Sequence, residues 1–241
     1  MQANADRLLA VIALLVLWMA LHHGLGAEAL ASPPATLQRI AELLLGTRLW
    51  THASVTLSVW LAAFAMAALV GVIAGLLMGL YRSAGLVIEP FISALASLPK
   101  VTLYPVVLLI FGLGVSSKLV FGFLHGVLPV LLFTLGAVRE LPLIQMKSAR
   151  AMGLSQAACL RHVMLPSIWP AVRSGLKLGA SLTLLGVLIG EMFGAQKGLG
   201  FLLMNAMELN DTASLSALSV LLLAVALGLN AVFAGSVRSQ R

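Results

Sequence analysis

Charge is what this sequence has least of. Only 10% of its 241 residues are Asp, Glu, Lys or Arg, while 61% are apolar, against roughly 25% charged and 45–50% apolar in soluble domains. A water-soluble globule is excluded. Cysteine is equally scarce: the one copy, Cys159, cannot close an internal disulfide and reads as a small packing residue. There is no Cys/His cluster at metal-ligand spacing and no His-Glu-x-x-His segment, so no metal is expected. A Gly-x-Ser-x-Gly elbow is missing. The phosphate loop is missing too, because Gly194-Ala-Gln-Lys197-Gly198-Leu-Gly200 has its glycines and lysine in the wrong order and spacing. Neither an ATP site nor a hydrolytic centre is expected on this chain.

What is present is long uncharged runs. A hydrocarbon core about 30 Å thick needs roughly 20 mostly apolar residues of helix. Leu49 to Tyr81, Leu119 to Val138 and Thr212 to Val237 contain no Lys, Arg, Asp or Glu. Three further spans complete the count. Leu8 to Leu21 becomes a retained first helix when extended through His22, His23 and Gly24. Gly85 to Gly112 is interrupted by Glu89, Pro90, Pro99, Lys100 and Pro105 and predicts a broken third span, which lipid tolerates only where the backbone is buried in protein or lines a cavity. Leu178 to Gly190 lengthens to about Ser174–Phe193 if Arg173 and Lys177 snorkel to the headgroups. The expected architecture is all-α with six crossings. Its parts are a first helix and outer loop over 1–50, a core of five spans over 51–236, and a tail over 237–241. Pro33-Pro34 predicts an extended first half for the outer loop.

Basic residues orient such a chain, since they collect in short cytoplasmic loops. With the N-terminus inside, ten of the fifteen fall on the cytoplasmic side: Arg7, Arg82, Arg139, Lys147, Arg150, Arg161, Arg173, Lys177, Arg238 and Arg241. Arg39, Arg48, Lys118 and Lys197 fall outside, and Lys100 lies within a span. Both termini are then cytoplasmic. The net charge of +7 follows from this topology and from attraction to anionic lipid; it gives no argument for nucleic acid.

Four features stand out against the apolar background. Residues 139–166 form a basic, polar island, and a helix from about Leu143 to Leu160 would ring a compact knob with Lys147, Arg150 and Arg161. Gly71, Gly75 and Gly79 make a double Gly-x-x-x-Gly face on which helices approach closely. Lys100 is an ionisable group at mid-depth, which points to a function: attraction of an anionic substrate, pairing with Glu191 and snorkelling along the break all stay open. Glu191 ends the fifth span in a gate or packing role, and His125 reads as a hydrogen-bonded core histidine. Glu89 before Pro90 reads as a cap at a helix start. Residues 201–211 predict an interfacial helix.

Gly153, followed after nine residues by Val163-Met164-Leu165-Pro166, resembles the cytoplasmic signature of permease subunits of binding-protein-dependent, ATP-driven importers, Glu-Ala-Ala-x3-Gly-x9-Ile-x-Leu-Pro. Lys147, Ser148 and Ala149 stand in place of Glu-Ala-Ala, so only the last is kept. The resemblance runs from about Thr51 to Asn230. It includes His52-Ala-Ser-Val-Thr56-Leu57, the three glycines, Leu98-Pro99, Phe111-Gly112-Leu-Gly114, Gly136-Ala-Val-Arg139, Glu191-Met192 and Gly198-Leu-Gly200, and it is similar to the nitrate, sulfonate and taurine group. It implies a type I ABC importer permease fold in the inner membrane, paired as a homodimer. It also implies an ATPase-coupling segment made of Lys147, Ser148, Ala149, Arg150, Ala151, Gly153, Leu154, Val163, Leu165 and Pro166. The partners it implies are nucleotide-binding ATPase subunits, which carry the ATP and Mg, and an external solute-binding protein. The implied solute is small and anionic, with a thiamin precursor or other small heterocycle as the alternative. An ion-coupled carrier or an intramembrane enzyme is the reading of another class. A carrier would require matching broken helices in both halves, and the break near Pro99 has no counterpart in the second half.

Overall fold

A computed structural model describes residues 2–235; the tail expected at 237–241, with Arg238 and Arg241, lies outside the described residues. The described chain is helical, without strands: α1 (Gln2–Leu25), α2 (Pro33–Leu45), α3 (Thr47–Leu80), α4 (Arg82–Ser97), α5 (Tyr104–Phe111), α6 (Val115–Arg139), α7 (Leu143–Ala151), α8 (Gln156–Cys159), α9 (Leu165–Gly194), α10 (Leu199–Glu208) and α11 (Thr212–Gly235). Helices satisfy every backbone polar group within the segment, which lipid demands. Five runs are long and apolar enough to cross a membrane: Leu8–Leu25, Thr47–Leu80, Val115–Arg139, Gln156–Gly194 and Thr212–Val232. The bent pair Gly85–Ser97 and Lys100–Phe111, whose halves meet at 94°, makes a sixth if it is one broken span and none if it is a re-entrant loop. The bend falls at Pro99, which lacks an N–H and pushes Leu98 out of helical conformation (ψ 141°).

The chain divides into two compact units. The first comprises Met1–Thr56 with Glu191–Gly228. Contrary to the extended loop expected at Pro33-Pro34, these prolines open α2, with Ser32 as N-cap accepting from the Ala35 N–H. Proline suits that place because its missing N–H has no intrahelical partner there anyway. α10 ends on Asn210 at φ 52°. The Asn210 N–H bonds Met207 O at 3.1 Å and the Asp211 N–H bonds Ala206 O at 2.9 Å, the paired bonds of a Schellman stop. Asp211 then caps α11, accepting the Ser214 N–H at 2.9 Å. Leu49, Leu202, Ala206 and Leu218 form the apolar centre of this unit.

The second unit comprises Leu57–Gly190 with Leu229–Arg241. Its spine is α6, the most buried crossing, with 61% of its apolar window inside the protein, against 0% for α1. The α3 glycines lie directly on it. A Cβ added at Gly71 would stand 2.8 Å from Val130, at Gly75 2.7 Å from Thr134, and at Gly79 2.5 Å from Val138. Three glycines at spacing four thus meet three β-branched residues at spacing four, ridge in groove. On the other side α9 presents its own small residues: a Cβ at Gly179 would stand 2.6 Å from Val130 and one at Gly175 2.7 Å from Phe133. The buried Trp60 indole donates to Ala180 O at 3.0 Å.

Candidate functional site

The basic island folds as a two-helix knob. α7 does not continue to Leu160 as its pattern predicts; it stops at Ala151. Gly153 at φ 81° is the reason. Its N–H bonds Arg150 O at 3.0 Å and the Leu154 N–H bonds Ala149 O at 3.2 Å, again a Schellman stop, here with glycine in the left-handed position. Ser155 restarts the chain, its hydroxyl accepting from the Ala158 N–H at 3.3 Å. α8 then passes through a π-helical turn, Leu160–Met164, into α9, so that helix is continuous over Gln156–Gly194. Pro166 therefore lies within a helical run, not at the start of a new helix. The wider turn ahead of it leaves room for a ring that would otherwise press on the carbonyl of His162.

Lys147, Ser148, Arg150, Ala151, Gly153, Leu165 and Pro166 are exposed; Leu154 and Val163 are half-buried and Ala149 is buried. Met152 stands at the turn with 79% of its surface exposed. Beneath the knob, Met164, Ile168 and Val172 pack with Leu141, Met146 and Leu160. A cavity of about 310 Å³ opens beside them, lined by Leu80, Met146, Arg150, Gln156 and Leu160 among others. Cys159 is buried, its Sγ–H facing Leu154 O at 3.7 Å. The result is an exposed turn between two short helices, carrying Lys147 and Arg150 beside the bare apolar side chains of Ile144 and Met152.

A second polar constellation lies in the first unit. Glu191 is fully buried. Thr56 Oγ1 donates to its carboxylate, 2.9 Å from either oxygen, and the Gly200 N–H donates at 3.0 Å. Thr56 Oγ1 in turn accepts the Leu199 N–H at 2.8 Å, and the Gly198 N–H donates to His52 Nδ1 at 3.0 Å. His52 stacks on Phe201 with ring centres 5.7 Å apart. The first N–H groups of α10, which no helix bond can satisfy, are thus taken up by side chains of α3 and α9. A Cβ at Gly198 would fall 2.1 Å from the Glu191 carboxyl carbon, so only glycine fits. The sequence pointed to Glu191 and to Gly198-Leu-Gly200 separately; Thr56 and His52, about 140 residues away, carried no local sign of joining them.

Lys100 and His125 lie in the second unit. Lys100 Nζ donates back across the bend to Ala96 O at 3.3 Å. His125 is buried, its Nδ1 2.9 Å from Phe121 O, with its ring edge-on to Phe121. Glu89 is not a cap. It sits inside α4 and forms an ion pair with Arg139 at the end of α6. A helix start inferred from Glu89-Pro90 overlooked that α4 begins at Arg82 and accepts Pro90 within it.

Five apolar crossings and a bent apolar pair, with an exposed basic turn between two of the crossings, define a multi-pass α-helical membrane protein. Residues 67–240 match the family described as binding-protein-dependent transport system inner membrane component, and the chain belongs to that family. It is 28% identical to the taurine transport system permease protein TauC of Escherichia coli (strain K12), over 76% of this chain and 68% of that protein. It is 30% identical to the riboflavin transport system permease protein RibX of Chloroflexus aurantiacus (83% and 75%). It is 25% identical to the putative aliphatic sulfonates transport permease protein SsuC of Bacillus subtilis, over 85% of this chain and 75% of that protein. In fold it resembles a chain of the inward-facing MetNI methionine ABC transporter, with a TM-score of 0.67 at 19% identity over 80% of this chain and 95% of that one.

Proposed function

We propose that this chain, paired with a second copy, forms the pathway of an ATP-driven importer for a small sulfonate-like anion. The observation that carries the reading is the knob. It is an exposed pair of short helices with Lys147 and Arg150 near Met152, inside the stretch that matches the permease family. Such a surface seats in a groove of a soluble partner, and the partner is a nucleotide-binding ATPase holding ATP and Mg. Closing of the ATPase pair draws the knobs together, and the crossings rock between outward-open and inward-open states, each ligand acting through its differential affinity for the two. A solute-binding protein delivers cargo on the opposite face. The knob faces the cytoplasm, in line with the bias of basic residues, and with six crossings both termini lie on that same side. Lys100 supplies positive charge along the path.

Taurine and the aliphatic sulfonates, named for two of the relatives, support a sulfonate-like solute, and Lys100 suits an anion. Riboflavin, named for a third, supports a small heterocycle as the second reading. The test is extraction of the tagged chain from native membranes, identification of what co-purifies, and reconstitution in liposomes with labelled taurine or riboflavin. ATP-dependent taurine uptake with a co-purified ATPase is expected. Uptake driven by an ion gradient alone would overturn the importer reading, and ATP-dependent riboflavin uptake would overturn the solute class.

A further inference from the structure

An apolar groove of about 350 Å³ opens in the first unit, where α2 turns into α3 beside α11. Its walls include Leu44, Trp50, Ala53, Leu221, Leu222 and Val225. It shares Leu49 and Leu218 with a smaller cavity of mixed lining, about 90 Å³, where Arg39, Arg48, Asn205, Asp211 and Ser214 stand among leucines. The two arginines there differ. Arg39 is engaged, with Nη1 2.8 Å from Glu42 Oε2, Nε donating to Ser214 Oγ at 2.8 Å, and Asp211 at 3.7 Å. Arg48 is exposed and has no hydrogen bond or ion pair among the described residues.

The helix leading in, α2, is short and two-faced. Arg39 and Glu42 pair along one side, while Leu37 and Leu45 are 67% and 89% exposed. A helix of this kind lies along a lipid surface. Trp50, 59% exposed, follows at the corner with its indole N–H bonded to Leu44 O at 2.9 Å, and tryptophan is enriched at the level of the headgroups.

We propose that the groove holds an acyl chain of an anionic glycerophospholipid whose phosphate rests on Arg48. The groove supplies apolar contact for the chain and the adjoining Arg48 supplies the cation for the phosphate. The charge at the rim selects the occupant. A second copy of this chain brings a net +7 toward an unpaired arginine, whereas a phospholipid brings an anion and an acyl chain in one molecule to two cavities that share Leu49 and Leu218. The site is independent of which solute is carried.

The test compares retention of phosphatidylglycerol and of phosphatidylcholine with matched acyl chains, by native mass spectrometry of the full chain in detergent. Wild type is expected to keep phosphatidylglycerol in preference to phosphatidylcholine. Arg48→Gln should weaken phosphatidylglycerol about fivefold, the factor for one basic side chain at an anionic surface, and leave phosphatidylcholine unchanged. Ala53→Phe, which fills the groove, should weaken both. Equal retention of the two lipids by wild type, or of phosphatidylglycerol by wild type and Arg48→Gln, would overturn the proposal. So would a photo-crosslinker at Leu222 that captures a second copy of the chain instead of lipid.

Discussion

Gly198 holds the backbone at φ 127° immediately ahead of α10, in a region that side chains rarely adopt, and faces the Glu191 carboxylate where a Cβ would sit. Gly198→Ala therefore combines backbone strain with a clash against a buried group. We expect it to destabilise by about 1–3 kcal/mol from strain alone, read as a lower thermal midpoint in detergent, whereas Gly24→Ala, with nothing within 4 Å, should leave the midpoint unchanged or higher. Asp211 tests a cap. The hydrogen bond from the Ser214 hydroxyl, followed by that from its backbone N–H, holds the Asp211 carboxyl below the usual carboxylate range. A depressed pKa in the folded state means the unfolded chain binds the proton first. The cap thus stabilises above the ordinary carboxylate pKa and its contribution is lost as pH falls through the lowered one. Asp211→Ala should cost about 0.5–2 kcal/mol at neutral pH. Asp211→Asn, an equally good cap, should keep the neutral-pH midpoint and flatten its fall in acid; an unchanged acid slope would remove Asp211 from that role.

Helices were legible where a regular pattern repeats, and illegible where one residue's backbone or a distant partner decides. The uncharged runs gave α3, α6 and α11 nearly whole, because lipid imposes length and apolarity on every residue of a crossing. The pattern from Leu143 to Leu160 also read as helical throughout, and only the left-handed conformation at Gly153 divides it; glycine permits that turn without announcing it. Pro33-Pro34 misled because proline is equally at home in extended chain and in a first helical turn. The Glu89–Arg139 and Glu191–Thr56 contacts join residues 50 and 135 apart, beyond any local signal. The seam between α3 and α6 is a testable element. Gly79→Ala should press on Val138, whose Cβ and Cγ1 lie 2.6 and 2.5 Å from the new atom, and lower the yield of folded protein. Moving the gap across the seam, with Gly79→Ala and Val138→Gly together, should recover part of the loss, since a helical glycine itself costs only about 1 kcal/mol. A double variant no better than Gly79→Ala alone would mean the contact is not what limits folding.

Across the whole chain, the number of crossings turns on the bent pair. If α4 and α5 together traverse the membrane there are six crossings; if they re-enter and return there are five, and the two ends of the chain part company. Charge does not decide, because ten basic residues fall on one side and four on the other in either topology, with Arg7 and Arg82 exchanging places with Arg39 and Arg48. Packing along α6 favours the crossing. Glu89 meets Arg139 at one end of that helix, Ile92 lies against Leu131 and Leu135, Ala96 against Val127 and Leu128, and Tyr104 and Val107 against Phe121 near the other end. The pair thus advances steadily along α6 from Arg139 to Phe121, roughly 27 Å at 1.5 Å per residue, close to the full depth of about 30 Å. A re-entrant loop would instead come back toward Arg139. We therefore expect Ser83 and Leu113, both exposed, to face opposite sides. Single cysteines at these positions, in a Cys159→Ala background, should differ in labelling by a membrane-impermeant maleimide on intact cells. Labelling of both from the same side would establish the re-entrant form and place the ends of the chain on opposite faces.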